Sequence, residues 1–217
     1  MNGIWILLLL IMAATLPAII VFFWLRSRKL SITLPWFLLS LSTGIISFII
    51  AAIIQTLFAF SRREGIWPVL FNIFVRIALI EEASRIIILF FLNRMAKNRR
   101  NNIAFGAAIG LIAGLGFALI ESAFYGIANI SITLLRIFTA APLHAACGIR
   151  AGTAVFTAPQ HPAKAFFLFF SSVFIHGAYN LMIVNPAIPS FLAVPTALIA
   201  FFASIYYLSE SPSDANP

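Results

Sequence analysis

Residues 69–92 read VLFNIFVRIALIEEASRIIILFFL. At about 1.5 Å of rise per residue, a helix of this length crosses a hydrocarbon core of about 30 Å. Four ionisable residues, Arg76, Glu81, Glu82 and Arg85, lie within the run. On insertion scales a charge at mid-bilayer costs about 2.5–3.5 kcal/mol, so a chain that keeps such residues there pairs them or uses them. At about 100° per residue, Glu81 and Arg85 are i,i+4 neighbours on one face, and Glu82 stands about a quarter turn round. Two adjacent carboxylates beside one cation in a low dielectric do not both ionise readily, so one carries charge and the other holds a proton. A general base or acid at neutral pH needs that state. The alternative is a buried ion pair that locks helix packing.

The rest of the chain is written in the same language. Of 217 residues, 62% are hydrophobic and 9% charged, too few charges to cover a water-facing surface. The composition therefore predicts an all-α, polytopic transmembrane bundle. Seven apolar stretches, approximately 4–25, 35–60, 69–92, 103–126, 130–156, 165–184 and 188–208, are long enough to span. Arg136, Pro142, His144 and Arg150 interrupt the fifth, which can shift its ends or break. The first has no basic segment before it and exceeds a signal-peptide core, so it reads as a retained anchor. Residues 1–208 are expected to form one integral-membrane domain, with 209–217 a polar, disordered tail.

The 14 Lys and Arg against 6 Asp and Glu make the net charge +8, but the positives cluster beside the apolar runs. Arg26, Arg28 and Lys29 follow the first run, Arg94, Lys97, Arg99 and Arg100 the third, and Lys164 the fifth. All fall on one side with the N-terminus outside and the C-terminus inside; Arg62 and Arg63 are the exceptions. The charge thus sets topology and implies a lipid bilayer, not a nucleic acid, as partner. The single Cys147 excludes an internal disulfide.

The remaining polar residues of the apolar runs are few. His176 and Asn180 are i,i+4 and can together donate to a developing oxyanion. His144 lies on the fifth run with Gly148 one turn on; either histidine alone reads equally as packing. Gly106, Gly110 and Gly114 form a small-xxx-small ladder that lets another helix pack closely. Glu121 has no cation at i±4 and needs a partner from another helix, which His144, His176, Arg136, Arg76 or Arg85 could provide. A compact bundle hides these groups by pointing them at each other around a shared cavity. Carboxylates and imidazoles with no Ser or Cys paired to a base suggest hydrolysis by activated water. Ser84 lies on another face from Glu81, and His161 falls in the polar connection at 159–164.

Four pieces together carry a family resemblance: Glu81-Glu82 with Arg85; Gly116-Phe117-Ala118-Leu119-Ile120-Glu121 with Tyr125; Leu135-Arg136 leading to Pro142-Leu143-His144-Ala145 and Gly148; and His176-Gly177-Ala178-Tyr179-Asn180. Their order and spacing over residues 81–180 resemble the PrsW family of intramembrane proteases, within the CAAX-protease and bacteriocin-processing superfamily. The chain departs from its relatives in having only Ala83 and Ser84 between the glutamate pair and Arg85, and Ser122 where PrsW-like sequences often carry Asn after the glutamate. The resemblance implies an intramembrane endopeptidase of the plasma membrane that cuts a membrane-anchored protein, such as an anti-sigma factor. It implies Glu81, Glu82, His144 and His176 as catalytic residues, supported by Arg85, Glu121 and Asn180. No cofactor is expected, and a divalent metal such as zinc is left open, since no His-Glu-x-x-His signature occurs. The competing readings are a non-catalytic membrane scaffold of the same fold and a proton-coupled transporter.

Overall fold

A computed structural model describes residues 3–28, 30, 32–58, 65–96, 102–128 and 130–209. The tail beyond Ser209, the basic residues Lys29, Arg62, Arg63, Lys97, Arg99 and Arg100, and the acids Glu64, Glu210 and Asp214 lie outside them. Every regular element among the described residues is helical. The helices are α1 (Gly3–Ser27), α2 (Leu34–Leu57), α3 (Ile66–Leu70), a π-helical stretch (Phe71–Leu79), α4 (Ile80–Met95), α5 (Ile103–Ala128), α6 (Ile130–Phe138), α7 (Ala140–Thr157), α8 (Pro162–Val184) and α9 (Ala193–Ile205). Short 3₁₀ turns, Ser190–Leu192 and Tyr206–Leu208, flank α9.

Helix starts follow local chemistry. Proline opens α2 and α8, where its missing N–H costs nothing. Asn102 Oδ1 accepts from the Phe105 amide at 2.8 Å and caps α5. The expected fifth run is two helices, broken at Thr139 (φ −118°, ψ −63°). Pro142 explains the break: it cannot donate to the Phe138 carbonyl, and its ring crowds the preceding turn.

Five segments combine the length and low charge of a membrane-crossing helix: Leu8–Ser27, Leu34–Leu57, Ile103–Ile127, Pro162–Val184 and Ser190–Leu208. The two other expected runs are richer in charge; one, with Arg76, Glu81, Glu82 and Arg85, lies in the unbroken rod from α3 to α4, and the other, with Arg136 and Arg150, is α6 with α7. Among the described residues the protein is therefore an all-helical bundle with five segments long and apolar enough to cross a membrane. Large apolar side chains cover its outside: Trp67, Phe174, Phe202 and Ile199 are all more than 65% exposed, as lipid, not water, would favour.

The centre is α5, whose spanning segment is 89% buried against 28–33% for α1, α2, α8 and the last segment. Its glycine ladder runs antiparallel along α7. A Cβ at Gly106 would strike Phe156, one at Gly110 the Gly148 carbonyl, and one at Gly114 the His144 carbonyl; conversely, one at Gly152 would strike the Gly106 carbonyl. Gly116 and Gly44 do the same between α5 and α2. Because lipid tails supply no hydrophobic drive between helices, such close backbone contact is a main source of cohesion. It also sets the His144 backbone beside Gly114, about two turns before Glu121 on α5.

Candidate active site

The site begins on α4. Glu82 and Arg85 are completely buried and form an ion pair at i,i+3. The expected i,i+4 pairing of Arg85 with Glu81 is not the one formed. Both spacings bring side chains together on a helix, and the neighbours decide between them. Gln55 of α2 donates from Nε2 to Glu81 Oε1 at 3.0 Å, drawing Glu81 to its own side. Arg85 turns towards α7, where Nη2 lies 3.2 Å from His144 Nδ1.

A guanidinium only donates, so His144 Nδ1 is the acceptor and the ring proton sits on Nε2. Nε2 then donates to Glu121 Oε2 at 2.7 Å. Arg136 of α6 reaches the same oxygen at 2.6 Å, and its Nε donates to Ser122 Oγ at 3.3 Å. The acid that lacked a partner on its own helix thus has two, from α7 and α6. Phe117 closes the space between, its ring centroid 4.9 Å from that of His144 and 4.8 Å from the Arg85 guanidinium carbon.

His176 of α8 completes the cluster. Its Nδ1 lies 2.9 Å from Glu82 Oε1 and its Nε2 lies 3.5 Å from Glu81 Oε2. The two imidazoles meet edge to face, centroids 5.0 Å apart. Gly177 lets α8 pack closely on the π-helical stretch, since a Cβ there would strike the Phe74 ring. Glu82 therefore has both oxygens engaged, whereas Glu81 Oε2 is buried with no hydrogen-bond partner.

The structure brings together Glu81, Glu82, Arg85, Glu121, His144 and His176, six of the seven residues singled out from sequence. Asn180, half-buried one turn beyond His176, makes no hydrogen bond to them among the described residues. His161 is exposed at the N-cap of α8. Gln55 was not anticipated; its signal is slight, the single amide side chain in α2.

The sequence profile described as PrsW family intramembrane metalloprotease matches residues 33–208, which include every residue of this cluster. The chain belongs to the PrsW family. It is accordingly an integral membrane protein of an intramembrane-protease family. Among curated proteins and among solved structures, nothing matches the chain.

The family's description implies a metal, and the PrsW-family chain has donors that fit one. Single oxygen or nitrogen atoms of Glu81, His144 and His176 all lie within 4.8 Å of one another, and all three residues are buried. The unpartnered Glu81 Oε2 and the His176 Nε2 face the same space. Glu82 on His176 Nδ1 is the carboxylate that typically orients a metal-binding imidazole. His144 is the least free of the three, because Arg85 and Glu121 occupy both its nitrogens. Nitrogen and carboxylate donors suit zinc. The divalent metal left open by the sequence agrees with both the description and the donor set.

Proposed function

We propose that this PrsW-family protein is an endopeptidase that hydrolyses a peptide bond of a membrane-anchored protein, with an anti-sigma factor as the candidate substrate class. The observation that carries the reading is the Glu81 carboxylate, buried, with one oxygen unpartnered and 3.5 Å from His176 Nε2. That oxygen accepts no hydrogen bond, and His176 is the one charged partner it has among the described residues, which leaves it an acceptor for an attacking water.

In this reading, Glu81 Oε2 takes a proton from water as the water oxygen adds to the scissile carbonyl carbon. The same proton passes to the nitrogen as the C–N bond breaks, leaving a new carboxyl group and a new amino terminus. His176, its ring held through Nδ1 by Glu82, turns Nε2 to the water's other hydrogen. Arg85 balances the Glu82 charge and keeps His144 in register, and the amide of Asn180, unengaged within the site, donates to the oxyanion. Where a divalent metal is held by these same atoms of Glu81 and His176, with His144, its Lewis-acid polarisation of the water would take the place of their direct contacts to it.

We also propose that the rod from α3 to α4 and the α6–α7 pair cross the bilayer, making seven spans of one domain over residues 1–208. Arg26, Arg28, Arg94 and Lys164 then lie on the inner side of the plasma membrane, supporting an outside N-terminus.

The test is cleavage of single-span candidate substrates in liposomes by the wild type and by Glu81→Gln, Glu82→Gln, His144→Ala and His176→Ala. Loss of cleavage by folded variants is expected. Normal cleavage by all four would sink the assignment, and folded variants that lose only partner binding would favour the scaffold.

A further inference from the structure

Gln55 and Arg76 form a clamp that the chemistry above does not use. Arg76 lies in the π-helical stretch, five residues before Glu81 on the same rod. Its Nη2 donates to the Gln55 carbonyl at 2.6 Å, its Nε to the Phe58 carbonyl at 2.8 Å and its Nη1 to Asn72 Oδ1 at 3.1 Å. The Gln55 carbonyl is one of the last four of α2, which have no partner within the helix. The guanidinium therefore caps α2 and fixes the helix end that carries Gln55. From there the Gln55 side chain returns to Glu81 Oε1 at 3.0 Å. The path is closed: Glu81, Gln55 amide, Gln55 carbonyl, Arg76, and back along the rod to Glu81.

The clamp divides the work of the two carboxylate oxygens. Oε1 is held from α2, which sets the side-chain torsions, and Oε2 is left buried, unpartnered and turned to His176. Capping alone would not need Gln55's side chain, and a solvent-facing glutamine would not need an intramembrane arginine. The rod itself is irregular here: a run of π turns ends at Leu79, two residues before Glu81. Such turns are uncommon and are frequent at functional sites. The π turns shift the angular register of the rod just ahead of Glu81, and the bond from Gln55 holds the Glu81 side chain from a second helix.

We propose that Gln55 is a positioning residue for Glu81 and that Arg76, by capping α2, positions Gln55. This rests on the peptidase reading for its consequence in turnover, though not for the clamp itself. Gln55→Met removes the donor at similar volume. It is expected to lower kcat about ten- to a hundredfold, the usual effect of a displaced catalytic group, with KM unchanged. Arg76→Ala is expected to lower kcat in the same direction, with both variants keeping the wild-type helical content and unfolding midpoint in detergent.

A second readout needs no substrate. In protein labelled with ¹³C-glutamate, the infrared difference between wild type and Glu81→Gln isolates the Glu81 carboxyl band, which is expected to shift in Gln55→Met and in Arg76→Ala. A band unmoved by Gln55→Met overturns the positioning role whether or not the protein cleaves. A turnover loss in Gln55→Met that only matches its loss of folded protein assigns Gln55 to folding alone and also overturns it. A wild type that cleaves nothing, with the band shift present, would sink the peptidase reading and leave the clamp standing.

Discussion

Arg85 and His144, 59 positions apart in the chain, meet at 3.2 Å with the guanidinium donating to Nδ1. This contact links α4 to α7 and places the imidazole proton on Nε2, facing Glu121. It also makes the buried Arg85–Glu82 pair part of a network and not an isolated lock. Removing Arg85 leaves the fully buried Glu82 carboxyl without its cation and with His176 as its remaining partner. Arg85→Ala is therefore expected to destabilise the bundle by about 3–5 kcal/mol, read as the unfolding free energy in detergent. A loss below about 1 kcal/mol, the value of a surface pair, would show that the network is not as closed as described.

The glycine contacts between α5 and α7 hold His144 against Glu121. A methyl group at Gly110 or Gly148 meets the opposing backbone, which cannot move aside as a flexible side chain can. Gly148→Ala is expected to cost about 1–3 kcal/mol, the range for overpacking. Thermal unfolding in detergent checks it; an unchanged midpoint would mean the helices are not in backbone contact.

Glu121 Oε2 accepts from both His144 and Arg136. Glu121→Gln retains an oxygen for the histidine, whereas Glu121→Ala leaves His144 Nε2–H and Arg136 without their acceptor. Cleavage rates are expected to fall further for the alanine than for the glutamine variant. Equal losses would instead show that the charge, not the hydrogen bond, is what matters.

Much of this arrangement was legible in the chain before folding. The acids of the apolar runs announced themselves by cost, Pro142 by its missing donor, and the glycine ladder by its period of four. What could not be read was which neighbour wins. Arg85 stands at i+3 from Glu82 and i+4 from Glu81, and helix geometry alone favours neither; Gln55 of α2 and His144 of α7 decide it. Gln55 itself was hidden because one amide at the end of an apolar helix carries no pattern. Asn180 shows the converse, a well-spaced neighbour of His176 that stays outside the hydrogen-bonded cluster.

Zinc binding should report the order of these residues. Glu81→Gln and His176→Ala remove donors and are expected to weaken zinc most. Glu82→Gln, which loosens His176 without removing a donor, is expected to weaken it about 10- to 100-fold. His161→Ala, exposed and remote, is expected to leave it unchanged. Competition with a chromophoric chelator measures all four. Full affinity in Glu81→Gln and His176→Ala would place the metal elsewhere.

The central claim is that Glu81 delivers water to a peptide bond inside the membrane. The most direct measurement is cleavage of a single-span substrate in liposomes in ¹⁸O-water, with mass spectrometry of the new carboxyl terminus. The wild type should incorporate one ¹⁸O atom at a single internal bond, and folded Glu81→Gln should give no product. Undiminished, ¹⁸O-labelled cleavage by Glu81→Gln would contradict the account.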